Sequence, residues 1–122
     1  MKSERIGVFG GTFDPLHNGH VMVALEVRAA LELDRMMLVV ANDPWQKDGD
    51  AVSPAPIRLD MTERAVSDIN KLAGEALLEV SEIEIRRGGE TYTADTLAEL
   101  HRQHPDAELF LLVGSDAAAG LP

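Results

Sequence analysis

The chain has 122 residues and no cysteine, which suits one domain with a single modest core and excludes disulfides and thiolate metal sites. Eleven Lys and Arg against twenty-one Asp and Glu give a formal charge of −10, so a broad basic footprint for nucleic acid is excluded. Any phosphate must be held locally, by backbone amides and a few well-placed cationic or imidazole groups.

The opening "MKSERIGVFG" carries an apolar run far too short for a signal-peptide core or a membrane span, so the expected location is the cytoplasm, with no membrane partner. Arg5 to Gly10 predicts a short buried strand stopped by glycines. From Gly19 to about Leu33 a helix is expected, with Met22, Leu25, Ala29 and Leu33 on its apolar face and Asn18 as its N-cap. "MMLVVA", Met36 to Ala41, predicts a second buried strand, followed by a polar loop from Asn42 to Pro56. Ile57, Met61, Ala65 and Ile69 recur every four residues and predict the inward face of a second helix. "ALLEVSEIEI" predicts a third strand running to Ile85, and the loop "RRGGETYT" leads into a helix from about Ala94 to Gln103. A continuous apolar strand, Glu108 to Gly114, comes last.

Strands alternating with helices predict an α/β domain over residues 1–122, a Rossmann-like, doubly wound parallel sheet. A run as apolar as Leu109 to Val113 needs cover on both faces and a neighbour at its edge. The sequence is therefore expected to be a fragment, or to have its edge covered by a partner chain, a homo-oligomer included.

The stretch "GVFGGTFDPLHNGH", Gly7 to His20, holds four glycines and two histidines in fourteen residues. A strand, a glycine-rich turn and a helix N-terminus together present unpaired N–H groups and the positive end of a helix dipole to an anion. Gly10 and Gly11 let a phosphate approach the backbone, and Thr12 adds a hydroxyl. The spacing matches neither G-x-G-x-x-G nor the P-loop, since no lysine follows. His17 and His20 stand in its place, three apart at the first helical turn. A purely structural turn and a two-histidine metal site are the alternatives; no third ligand of suitable spacing stands nearby, so no metal ligand is assigned.

"GGTFDPLHNGH" resembles the signature of the nucleotidyltransferase superfamily with the H-x-G-H motif, matched by His17, Asn18, Gly19 and His20. With histidine at position 17 it is most similar to nicotinate or nicotinamide mononucleotide adenylyltransferases, because the phosphopantetheine enzymes carry threonine there. The resemblance implies the adenine nucleotide alpha hydrolase-like form of the fold. It also implies an ATP site made by Gly10, Gly11, Thr12, Phe13, His17, Gly19 and His20. "PWQK", Pro44 to Lys47, resembles the P-P-H-K segment of the bacterial enzymes in an actinobacterial form; Lys47 is then a phosphate ligand and catalytic candidate beside His17 and His20, with the role of Trp45 open. Arg58 resembles a family arginine at the mononucleotide, against the alternative of a solvated helix residue.

"TYTADTL" resembles the element lining the pyridine nucleotide, which nominates Thr91, Tyr92, Thr93 and Asp95 for substrate binding; helix capping by Thr93 and a dipole contact by Asp95 are the plainer account. "GSDAAAGLP" resembles the segment whose glycine and aspartate meet the nucleotide near its ribose, here Gly114 and Asp116. Family members continue into a further triphosphate-binding I-S-S-T element that this sequence does not contain.

The implied reaction is transfer of an adenylyl group from ATP to nicotinate mononucleotide, giving nicotinate adenine dinucleotide and pyrophosphate in NAD biosynthesis, with Mg²⁺ carried by the ATP phosphates. Alternatives are another acceptor, nicotinamide mononucleotide or phosphopantetheine, a cytidylyl transfer, or a nucleotide-binding fragment without activity.

Overall fold

The computed structural model describes residues 3–42, 53–89 and 93–112. In chain order these form β1 (Arg5–Gly11), α1 (Asn18–Ala30), β2 (Arg35–Val40), α2 (Ala55–Ala73), β3 (Glu79–Ser81), α3 (Ile83–Arg87), α4 (Thr93–Gln103) and β4 (Glu108–Leu112). The sheet runs β3-β2-β1-β4, with every pair parallel. Ile6 pairs with Arg35 on one side and Leu109 on the other. The chain winds outward from β1 to β3 and then crosses to the far side of β1. The carboxyl ends of β1 and β4 are therefore a topological switch point, where ligands of such sheets bind.

Side-chain alternation explains the layers. Phe9, Met36, Leu38 and Val40 pack on one face with Ala24 and Val66, and so with α1 and α2. Ile6, Val8, Met37 and Val39 pack on the other with Ile83 and Leu100, from α3 and α4. Met36 to Val40 are all buried, as a central parallel strand requires. The doubly wound reading is thus the observed architecture.

Local expectations shift in four places. Helix α1 stops at Ala30; it buries Ala24 rather than Met22, which is 59 % exposed, and Leu33 packs from the following loop. The inward face of α2 is Ala55, Arg58, Thr62 and Val66, while Ile57 is 52 % exposed. Two polar residues hid that face: the Thr62 hydroxyl donates to the Arg58 carbonyl at 2.8 Å, and Arg58 itself is buried with four hydrogen bonds to carbonyls. The third strand is three residues long, because the Ser81 hydroxyl accepts the Ile83 N–H at 3.3 Å and turns the chain into α3. Finally, α4 starts at Thr93 instead of after it. Among the described residues, no helix is long and apolar enough to cross a membrane.

Candidate active site

At the switch point, β1 hands over to the glycine turn. A Cβ added to Gly10 would meet nothing within 4 Å among the described residues, so with respect to them the end of β1 opens onto free space. At Gly11 the same atom would lie 2.9 Å from the Phe13 ring. Phe13 has φ 49°, a left-handed conformation costing a non-glycine residue roughly 1–2 kcal/mol. Its ring is 3 % exposed and edge-on to Phe9 and His20 at 5.6 and 5.2 Å, and that burial offsets the strain. The ring is therefore core, and only the main chain of Phe13 is left for a ligand.

The N-cap of α1 is His17, not Asn18. Its Nδ1 accepts the Gly19 N–H at 3.1 Å, as an aspartate oxygen would. In return His20 Nδ1 accepts the His17 N–H at 3.1 Å. Gly19 permits this fold-back, for a Cβ there would stand 2.9 Å from His17 Cε1. The two imidazoles stack at 3.7 Å between centroids, 29° apart.

This arrangement settles the tautomers. A ring nitrogen that accepts an N–H carries no proton, so each neutral imidazole keeps its proton on Nε2. Burial, and secondarily the neighbouring His17, hold His20 below the ordinary imidazole range. No acidic residue occupies the first turn of α1, which leaves the positive helix end unopposed. The outcome is two N–H donors at a helix N-terminus beside a bare strand end, a geometry suited to phosphate oxygens. Among the described residues no three His, Asp or Glu side chains converge as a metal site.

Behind the turn lies Arg58, 1 % exposed. Its Nε donates to Ser53 O at 2.7 Å, Nη1 to Thr12 O at 3.0 Å and Ala41 O at 2.6 Å, and Nη2 to Asn42 O at 3.0 Å. The solvated-helix reading of Arg58 is thereby overturned, and its donors are directed at carbonyls of this chain. Asp14 adds a second tie, accepting the Ser53 N–H at 2.8 Å; that bond holds its carboxyl below the usual range. Asn42 Nδ2 donates to Gly89 O at 3.0 Å and joins the end of β2 to the loop before α4. Thr93 and Asp95 are exposed in the first turn of α4.

Lys47, Trp45, Thr91, Tyr92, Gly114 and Asp116 lie outside the described residues. Sequence reasoning missed Asp14, Asn42 and Ser53 as members of this edge. Asp14 stood within the quoted motif, whereas Ser53 and Asn42 give no signal because they act mainly through main-chain atoms and a distant loop.

Fold and site together define a doubly wound α/β domain with an H-x-G-H motif at its switch point. The chain belongs to the Cytidylyltransferase-like family, whose sequence profile matches residues 8–121. It is similar to proteins named "Probable nicotinate-nucleotide adenylyltransferase". The Corynebacterium kroppenstedtii protein is 46 % identical over 115 residues, covering 94 % of this chain and 52 % of that protein. The Mycobacterium tuberculosis protein is 47 % identical over 116 residues, covering 95 % and 51 %. The chain thus spans about half the length of the curated relatives it matches. Among solved structures, the Plasmodium falciparum nicotinic acid mononucleotide adenylyltransferase complexed with NaAD superposes with a TM-score of 0.71 at 19 % identity, covering 96 % of this chain and 55 % of that one. The same enzyme complexed with APC gives 0.67 at 18 % identity, covering 96 % and 54 %. These structures share the fold.

Proposed function

We propose that this chain forms the nucleotide-binding half of an adenylyltransferase that joins ATP and nicotinate mononucleotide into nicotinate adenine dinucleotide, releasing pyrophosphate, in the cytoplasm. The observation that carries the reading is the pair of stacked imidazoles, locked as Nε2–H donors at the N-terminus of α1. The names of its relatives from Corynebacterium and Mycobacterium support the acceptor.

In this reading the phosphate oxygen of the mononucleotide attacks the α-phosphorus of ATP in line, and pyrophosphate leaves opposite. No protein nucleophile takes part, so the chain contributes alignment and donors aimed at developing charge. His17 and His20 donate from Nε2 to phosphate oxygens, with the main-chain amides at Gly11 to Phe13 completing the cradle; Gly19, whose own N–H is held by His17, allows ATP close to the helix end. Gly10 leaves room for the nucleotide. Lys47 serves the phosphates, Gly114 and Asp116 the ribose, and Thr91, Tyr92, Thr93 and Asp95 the pyridine nucleotide. Because the described residues offer no three-carboxylate or imidazole cluster, a Mg²⁺ would be held by phosphate oxygens and water, supplying charge neutralisation there.

The test is pyrophosphate release by the protein expressed over its full reading frame, with ATP or CTP and each of nicotinate mononucleotide, nicotinamide mononucleotide and phosphopantetheine. The expected result is turnover with ATP and nicotinate mononucleotide at least about 10-fold above every other pair, a preference of about 1.4 kcal/mol. Preference for another acceptor, or no turnover at all, overturns the proposal.

A further inference from the structure

The buried guanidinium beneath the glycine turn has no role in the reaction just described, although it joins three separate segments at the site. Its four described bonds all end on main-chain carbonyls, at Thr12, Ala41, Asn42 and Ser53. A planar fork of fixed donors reaches these together, which a single ammonium cannot do. Among the described residues no carboxylate forms an ion pair with it; Asp14 acts on it only as a nearby charge, opposing the downward pull of burial.

Two consequences follow for an anion above the turn. Carbonyl oxygens at the ends of β1 and β2, which repel phosphate, are drawn down toward the cation. In the trans peptide between Thr12 and Phe13 the C=O and N–H point oppositely. With Thr12 O held inward, the Phe13 N–H is turned outward, and among the described residues it meets no acceptor. The left-handed φ of Phe13 is the backbone form that this grip holds.

We propose that Arg58 is a positioning residue for the triphosphate: it fixes the Thr12–Phe13 peptide and the β2 end so that main-chain N–H groups and unpaired positive charge face ATP, without touching the nucleotide itself. This inference rests on the nucleotide-binding part of the function proposed above.

The experiment uses the protein expressed over its full reading frame and compares Arg58→Lys with Asn70→Ala. Asn70 ties α2 to β3 through Leu77 and Leu78, away from the site, and so controls for lost stability. ATP affinity is read by calorimetry and KM for the mononucleotide by pyrophosphate release, at a temperature where both variants are folded by circular dichroism. Arg58→Lys is expected to weaken ATP binding at least about 10-fold with the mononucleotide KM within about 3-fold of the parent, while Asn70→Ala changes neither. ATP binding by Arg58→Lys within about 2-fold of the parent, or equal losses in both variants, overturns the proposal. Where Arg58→Lys does not fold, Asp14→Asn loosens the same junction from its exposed side: ATP affinity at least about 3-fold weaker supports the role, and an unchanged affinity overturns it. A parent that binds ATP but transfers nothing sinks the function alone, since the affinities still decide the role of Arg58; a parent that binds no ATP sinks both.

Discussion

The two edges of the sheet use arginine in opposite ways. At the amino edge every strand begins on a charged residue: Glu79, Arg35, Arg5 and Glu108 across β3, β2, β1 and β4. Arg35 meets Glu79 at 2.7 Å and Glu4 at 3.5 Å, and Arg5 lies 3.8 Å from Glu108 with its guanidinium 4.6 Å above the Phe110 ring. Those charges cancel at a partly exposed surface and hold adjacent strands together. At the carboxyl edge Arg58 is buried and bonded to neutral carbonyls, two imidazoles stack, and Phe13 is bent into a left-handed form. One edge is arranged to be electrically quiet. The other keeps positive charge and, among the described residues, main-chain and imidazole donors free, which in the function proposed above is how a chain of net charge −10 would hold phosphate locally.

Substitutions at the two edges should separate activity from stability, and the largest effect is expected at His20. In the full reading frame His20→Ala should lower kcat for adenylyl transfer about 100- to 1,000-fold, or roughly 3–4 kcal/mol, the range for losing one preorganised donor. Steady-state kinetics within a few-fold of the parent would erase the distinction between the edges. Gly10→Val comes next. Open space and strand geometry should leave the thermal midpoint nearly unchanged, while ATP affinity falls at least about 10-fold because the branched side chain fills the approach. A parallel loss of midpoint and affinity would mean that Gly10 serves packing.

Acid should act through the imidazole pair. Burial first, and His17 second, lower the His20 value, so as pH falls through about 6.5 the unfolded chain binds a proton that the folded chain refuses. The stability that depends on neutral His20 is complete above that value and declines toward the lowered folded one. Thermal melts from pH 8 to pH 5 should show this decline, reduced in His20→Ala; equal slopes would remove His20 from the account. The smallest effect belongs to the amino edge. Arg35→Ala should cost about 0.2–1 kcal/mol in chemical denaturation, less at high salt, with kcat unchanged. A larger loss of activity than of stability there would break the comparison.

Much of this architecture was legible in the residue pattern. Apolar runs such as "MMLVV" marked the buried parallel strands, and the alternation with helices gave the doubly wound sheet. The glycine turn and its histidines stood out because bare backbone beside paired imidazoles has few purely structural reasons to occur. The pattern erred where a polar side chain served the interior. From sequence Arg58 reads as a substrate ligand or a solvated helix residue and Thr62 gives no signal, because hydropathy does not register bonds to carbonyls. The cap went to Asn18 on residue preference, although His17 takes it when Gly19 lets the ring fold back.

By itself, then, the sequence determined the alternation of strands and helices apart from α3, where it predicts strand, together with their layering and the glycine and histidine turn, since these follow from local periodicity and from residues close together in the chain. Tertiary structure alone decided that one guanidinium binds segments 46, 17, 16 and 5 positions away from it. Such bonds form only when folding brings distant carbonyls into a dry interior, where an unpaired charge would be costly, and no local pattern of residue types records that meeting.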